Sequence, residues 1–263
     1  MKKAALFTVL ALVSVSIFET CSTPPQTQKE EVVAKPELTF NIGSVNLSNF
    51  GKRMEKKDVV AFAKTLKKEQ VEVLAVQGIT RYPSVPTRVD FVSELSTQAD
   101  MRSAFGEMMN NSGRQTGNAV FSTYPIRSNT SKSFDVKSAT FEAVLQAVVD
   151  GGVRDILILS AQFPPKASAD DQSLCVKSIV ALNAPYEKKN PVIVAGNLPS
   201  SGSLRALGSF DDVEQMIGEG GKAPSRVWYA SQGILKALSA HTTETDMGTM
   251  VVVQFGLFRQ VQP

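Results

Sequence analysis

Residues 191–203, PVIVAGNLPSSGS, constrain the fold of this chain more than any other stretch. Positions 191–195 are apolar or small around a Val-Ile-Val centre, which suits a strand buried on both faces of a sheet. Gly196, Asn197 and Pro199 end the run abruptly. A buried strand that stops at a Gly-polar corner delivers a side chain to the rim of a sheet, where the sites of α/β folds sit. Here that side chain is Asn197, whose amide hydrogen-bonds but carries no charge to hold a metal or take a proton. By itself the corner also fits a tight turn after a core strand.

The rest of the chain supplies partners for such a strand. Residues 38–47 (LTFNIGSVNL) and 71–79 (VEVLAVQGI) read as strands, the second buried and ending at Gln77 and Gly78. Residues 139–150 and 154–163 form two more around Gly151-Gly152, a hairpin turn, with Gln162 at the end of the second. Residues 226–234 (RVWYASQGI) and 248–258 (GTMVVVQFGLF) are strands, and 103–108 is a short one. Helical spacing of Val59, Val60, Ala63 and Leu66 predicts an amphipathic helix over 56–70, and 89–99 predicts another. Ser168 as N-cap, Asp170 and Asp171 in the first turn and Pro185 as a stop predict a crossover helix over 168–184, which returns the chain to residue 191. Residues 110–117 (NNSGRQTG) read as a loop and 211–217 as a short helix.

The 196–199 corner resembles the Gly-Asp-Phe-Asn corner of the endonuclease/exonuclease/phosphatase superfamily, the group that includes pancreatic-type deoxyribonuclease. Residues 117–126, GNAVFSTYPI, resemble that family's Gly-Asn-Ala block ending Tyr-Pro-Ile, the most specific motif retained. The order of blocks from about residue 38 to 258 matches as well. The resemblance implies an α/β fold, a four-layer sandwich of two packed mixed β-sheets flanked by helices, with 73–76, 156–159 and 192–195 at the centres of the sheets. It also implies a set of site positions. Asn46 stands at the family's first site Asn, since Asn49, Phe50 and Gly51 then fit the spacing; Asn41 is the second candidate. The metal-binding Glu of the family is Gly78 here, its catalytic His is Gln162, its Asp and Asn at the corner are Asn197 and Pro199, and the Asp of its Arg-Ile-Asp-Tyr strand is Trp228. Its Ser-Asp-His, placed at Thr245-Asp246-Met247, keeps Asp246 and puts Met247 for the His. A competing placement at Ser239-Ala240-His241 keeps the His but leaves too many residues before the closing strand; on the preferred placement His241, the only histidine, is a loop residue.

Metal-assisted phosphodiester hydrolysis needs carboxylates around a hard cation such as Mg²⁺, a base for water and a clamp for phosphate. Asn46 and Asp246 survive from the family's set, and one carboxylate is a poor Mg²⁺ site. The expectation is therefore a fold kept without its catalysis, no cofactor, and a non-catalytic binding role toward a protein, a glycan or a phosphorylated ligand. A metal-dependent phosphodiesterase, nuclease or phosphatase with relocated ligands is the alternative, and Mg²⁺ belongs to it. The chemistry of the rim discriminates: carboxylates gathered from other loops favour the enzyme, and an apolar rim around Trp228, Met247 and Pro199 favours binding. Trp228 is expected at a pocket mouth, against burial in the core, the usual state of a Trp.

The N-terminus adds a location. Lys2 and Lys3 precede an apolar run at 4–18, the pattern of an export signal, over residues 1–20. Cys21 follows directly, and the arrangement resembles a bacterial lipoprotein signal, whose cysteine is acylated and becomes the mature N-terminus; secretion without lipid and an uncleaved anchor are the other readings. Residues 21–36 then form the lipidated Cys and a Pro/Gln/Lys/Glu-rich tether, with a reach on the order of 20 Å, and 37–263 the folded domain. A disulfide from Cys21 to Cys175 would join a tail to a helix, so Cys175 is expected to be a buried thiol. The expected place is the cell envelope, lipid-anchored to a membrane.

Charge narrows the partners. The chain carries net +3, which falls to about +2 once the signal is removed, too little to argue for nucleic acid. Its basic residues are concentrated at Lys52, Arg53, Lys56, Lys57, Lys64, Lys67 and Lys68. These read either as a solvated helix face or as a contact for anionic lipid headgroups beside the anchor.

Overall fold

The computed structural model describes residues 35–48, 55–82, 89–134, 143–164, 167–187, 189–198, 210–217, 225–230 and 233–259. The signal segment, Cys21, the tether up to residue 34, Phe50-Gly51 and Pro199 lie outside the described residues.

The order of elements is β1 (Leu38–Asn46), α1 (Lys56–Lys68), β2 (Val73–Thr80), α2 (Phe91–Ala99), β3 (Arg102–Asn111), β4 (Arg114–Ser122), β5 (Ile126–Ser133), β6 (Ala143–Asp150), β7 (Asp155–Gln162), α3 (Ala169–Glu187), β8 (Val192–Asn197), β9 (Asp211–Asp212), α4 (Glu214–Ile217), β10 (Arg226–Ala230), β11 (Leu235–Thr245) and β12 (Gly248–Leu257). The strands make two six-stranded sheets, β11-β12-β1-β2-β4-β3 and β5-β6-β7-β8-β10-β9. Each sheet is mixed, with one parallel pair at its heart: β1 with β2, and β7 with β8. Helices α1 and α3 are the crossovers that parallel pairing demands.

Burial follows from this layering. Phe40, Ile42, Val73, Ile156, Ile158, Ile193, Val227 and Phe255 fill the space between the sheets. Their neighbours in sequence point the other way. Leu74 and Val76 pack with Val59, Phe62 and Leu66 of α1 and Leu95 of α2, and Leu157, Leu159, Val192 and Val194 pack with Val176 and Ile179 of α3. Strands buried on both faces read as continuous apolar runs for this reason, and β2, β7 and β8 are interior in their sheets. The four-layer sandwich expected from the sequence is the one observed.

Several local expectations change. Residues 110–117 are the tip of the β3–β4 hairpin, with Ser112 (φ 52°) and Gly113 (φ 87°) both left-handed, as a two-residue primed turn requires. Pro185 does not stop α3, which runs to Glu187. A proline in the last turn removes one helical bond and leaves little helix beyond it to break. The 211–217 helix is a two-residue strand followed by a single turn, α4. Strands β5 and β11 lie at sheet edges, where IRSNTSKS and LKALSAHTTET carry mostly polar side chains that give no buried-strand signal.

Candidate functional site

The parallel pairs place three of the site positions, with Gln77 beside Gly78, at one rim. Asn46 ends β1 opposite Gln77 of β2, and Gln162 ends β7 opposite Asn197 of β8. Antiparallel pairing of Ser44 with Val251 brings the β11–β12 turn, with Asp246 and Met247, to the Asn46 end of the same sheet. Hydrogen bonds between the sheets show that the two rims meet. Gln77 Nε2 donates to Ser160 Oγ at 3.0 Å, and Gln162 Nε2 donates to Ser48 Oγ at 2.6 Å.

Ser48 occupies the middle of this rim. Its hydroxyl donates to Asn46 Oδ1 at 2.6 Å while accepting from Gln162, and its backbone N donates to the same Asn46 oxygen at 2.9 Å. Gly78 lies directly against it. A Cβ at position 78 would stand 2.5 Å from Ser48 Oγ and 2.9 Å from the Ser48 backbone N and Cα. The Gly78 backbone is also left-handed (φ 68°), within a break in the β2–β4 register. The space that a side chain at this position would enter is thus taken by Ser48. Asn197 turns toward the chain: its Nδ2 donates to Phe163 O at 3.4 Å and its own carbonyl accepts from Phe163 N. Gly196 admits this approach, because a Cβ there would lie 1.7 Å from Ala161 O.

Beneath the rim runs a buried belt of neutral polar groups. Ser225 Oγ bonds Gln77 Oε1 at 3.3 Å and also meets Ser44 Oγ. Ser160 Oγ donates to Val76 O, and Asn118 Nδ2 donates to Ala143 O at 2.7 Å and Ser160 O at 3.1 Å, while its Oδ1 accepts from Gly78 N. Ser44, Gln77, Asn118, Ser160 and Ser225 are nearly fully buried. The belt ties one sheet to the other without a formal charge, so no ion is desolvated. Among the described residues, Gln162 Oε1 at the rim is buried and has no hydrogen-bond partner.

The other sequence positions divide. Trp228 is fully buried, packed with Leu159, Val194 and Val176 in the α3 layer, its Nε1 donating to Asp212 Oδ2 at 3.3 Å. It does not line a pocket mouth, because β10 alternates and Val227 and Tyr229 take the face toward the other sheet. Met247 is buried in the α1–α2 layer beside Met250. Among the described residues the rim presents amides and hydroxyls, with the Asp246 carboxylate in the β11–β12 turn and Arg226 paired with Gly196 beside Asn197; Pro199, named in the apolar alternative, lies outside the described residues. Asp246 is exposed in its turn. His241 is not in a loop; it lies on β11 opposite Val252 and bonds Glu69 Oε2 at 3.0 Å. Asn41, the second candidate, faces the opposite end of β1, where its N donates to Glu72 and its Nδ2 to Glu69 O. Ser48, Ser160 and Ser225 carried no signal in the sequence; Asn118 did, within the Gly-Asn-Ala block, and its role is the cross-sheet belt.

Asp212, behind Trp228, is the carboxyl that the fold perturbs at this end of β10. Burial pushes it upward against the pull of Glu214 N and the Arg226 guanidinium. Its partners are on its own sheet edge, and it points to the Trp228 side.

A Mg²⁺ site requires several oxygen ligands with carboxylate charge among them. No group of three His, Cys, Asp or Glu residues among the described residues could hold a metal ion. Among the described rim residues, amides, hydroxyls and Gly78 stand beside the carboxylate of Asp246, and this donor set does not fit the ion.

Two facing mixed sheets, outer helices and strand ends converging on one rim define the endonuclease/exonuclease/phosphatase fold, and this chain has it. An endonuclease/exonuclease/phosphatase from Beutenbergia cavernae superimposes with a TM-score of 0.65 at 14% identity, over 84% of this chain and 72% of that one. The protein of the same description from Bacteroides vulgatus gives 0.66 at 7% identity, over 84% and 100%. The human Nocturnin catalytic domain with bound sulfate gives 0.64 at 12% identity, over 86% and 96%. No protein-family model and no curated protein matches the sequence.

Proposed function

We propose that this chain is a lipid-anchored binding protein of a bacterial cell envelope, built on the endonuclease/exonuclease/phosphatase fold without its hydrolytic chemistry. The observation that carries the reading is the rim itself. Asn46, Gln162 and Asn197 are neutral amides, and Ser48 fills the space beside Gly78. Amides and hydroxyls hydrogen-bond a ligand but neither neutralise a phosphate nor accept a proton from water. Such a set fits a glycan or a protein surface better than a phosphorylated ligand. The anchor is read from the basic-apolar start followed by Cys21 and the polar tether.

Hydrolysis assays test the silence of the site. DNA, inositol phosphates and sphingomyelin-type lipids, each with Mg²⁺ or Mn²⁺, are expected to turn over no faster than a matched blank, and calorimetry is expected to show no tight metal binding. Hydrolysis that Asp246→Ala abolishes would overturn the reading in favour of a phosphodiesterase or phosphatase with relocated ligands, in which Mg²⁺ would have a place. The neighbouring structure described as a catalytic domain is the reason this control matters.

A further inference from the structure

From the lysine face of α1 and the place where the chain enters the fold, we infer that this face is the surface the domain turns to an anionic phospholipid membrane. The inference rests on the anchored reading above. At 3.6 residues per turn, Lys56, Lys57, Lys64, Lys67 and Lys68 fall within an arc of about 120°. The buried residues Val59, Phe62, Ala63 and Leu66 occupy another arc, and Asp58 falls outside the lysine arc. All five lysines are exposed. Lys56, Lys57 and Lys68 pair with Glu94, Glu55 and Glu69, with lysine side-chain exposures of 62%, 77% and 81%. The Lys57–Glu55 pair is exposed at both ends and contributes little, whereas the Glu94 and Glu69 side chains are 16% exposed. Among the described residues Lys64 and Lys67 have no ion-pair partner.

The entry point decides what such a face would meet. Thr39, Phe40 and Asn41 at the start of β1 share one groove with Leu66, Lys67 and Gln70 at the end of α1. Asn41 Nδ2 donates to Glu69 O at 3.3 Å, which fixes the two ends side by side. The tether thus joins the domain beside the lysine face. With a reach on the order of 20 Å, it would let that face come into contact with the lipid surface that Cys21 anchors to, where the attraction acts within about one Debye length. A positive surface kept so close to phospholipid gains most from anionic headgroups, and the gain is worth about fivefold in affinity per lysine.

Vesicle sedimentation tests it with the chain from Ser22 onward, which lacks the acylation site but keeps every residue of the three apolar clusters. Binding is expected to vesicles of phosphatidylglycerol and phosphatidylcholine in equal parts, to be lost at high salt, and to be absent with phosphatidylcholine alone. K64Q/K67Q is expected to weaken it about 25-fold, with an unchanged melting profile. Equal binding to neutral vesicles, unchanged binding of the variant, or retention on DNA without binding to anionic vesicles overturns the inference. Detergent partitioning of the full chain and Cys21→Ala from cells reads the anchor separately. Aqueous partitioning of both chains sinks the anchor while lysine-dependent vesicle binding leaves the face standing; a lipidated chain whose K64Q/K67Q form binds like wild type sinks the face alone.

Discussion

At position 78 the backbone decides which side chains the rim can accept. Gly78 is left-handed and its Cα faces the Ser48 backbone at a distance that admits no Cβ. Placing an acidic residue there is therefore not a route to a metal site. Gly78→Glu is expected to destabilise the fold by about 1–3 kcal/mol, from backbone strain and displacement of Ser48, and to leave Mg²⁺ binding absent. Urea denaturation and calorimetry on the same preparation check both parts; a stable variant that binds Mg²⁺ would show that the rim is a site lacking only one ligand. Gln162 has the opposite character: its amide nitrogen is used and its oxygen is left over.

Among the elements, α2 shows how a local signal is reinforced by its surroundings. Asp90 caps the helix by accepting from Val92 N and Ser93 N, and also receives Arg81 Nε at 3.0 Å. Burial pushes the Asp90 carboxyl upward, but Arg81 and the Ser93 bonds outweigh it and hold it below its ordinary value. A carboxyl depressed in the folded state contributes stability that is present above its unfolded pKa, about 3.9, and is lost as pH falls through the folded value. Asp90→Ala is expected to cost about 1–2 kcal/mol near neutral pH. The gap between wild type and variant should close below about pH 4, as thermal melts across pH would record. A gap that widens in acid would mean that Asp90 acts through packing and not through its charge.

For the whole molecule, the two sheets are joined by apolar packing over most of their area and by the neutral belt at one end. Trp228 reports on the layer behind it. It is fully buried under α3, so iodide is expected to leave its fluorescence unquenched in the folded chain and to quench it after denaturation. Strong quenching of the native protein would mean that the α3 layer opens. Trp228 suits this position because it belongs to a helix–sheet interface whose neighbours are apolar, and Asp212 accepts the one indole N–H.

Continuous apolar runs identified β2, β7 and β8 from sequence because these strands are buried on both faces, and the Gly-polar corner at Asn197 marked the rim at which they end. The GNAVFSTYPI block and the order of blocks fixed the sandwich. Edge strands β5 and β11 were hidden because one exposed side removes the demand for apolar residues, and His241 was misplaced with them. The orientation of Trp228 depended on the pleat of β10, which a sequence shows only once the register with β8 is known. Ser48 had no signal at all: its place against Gly78 and Gln162 is made by residues 30 and 114 positions away. The sequence determined which segments are buried and which residues end the strands. Only tertiary packing decided how those ends meet, because the rim is assembled from the ends of strands in two different sheets.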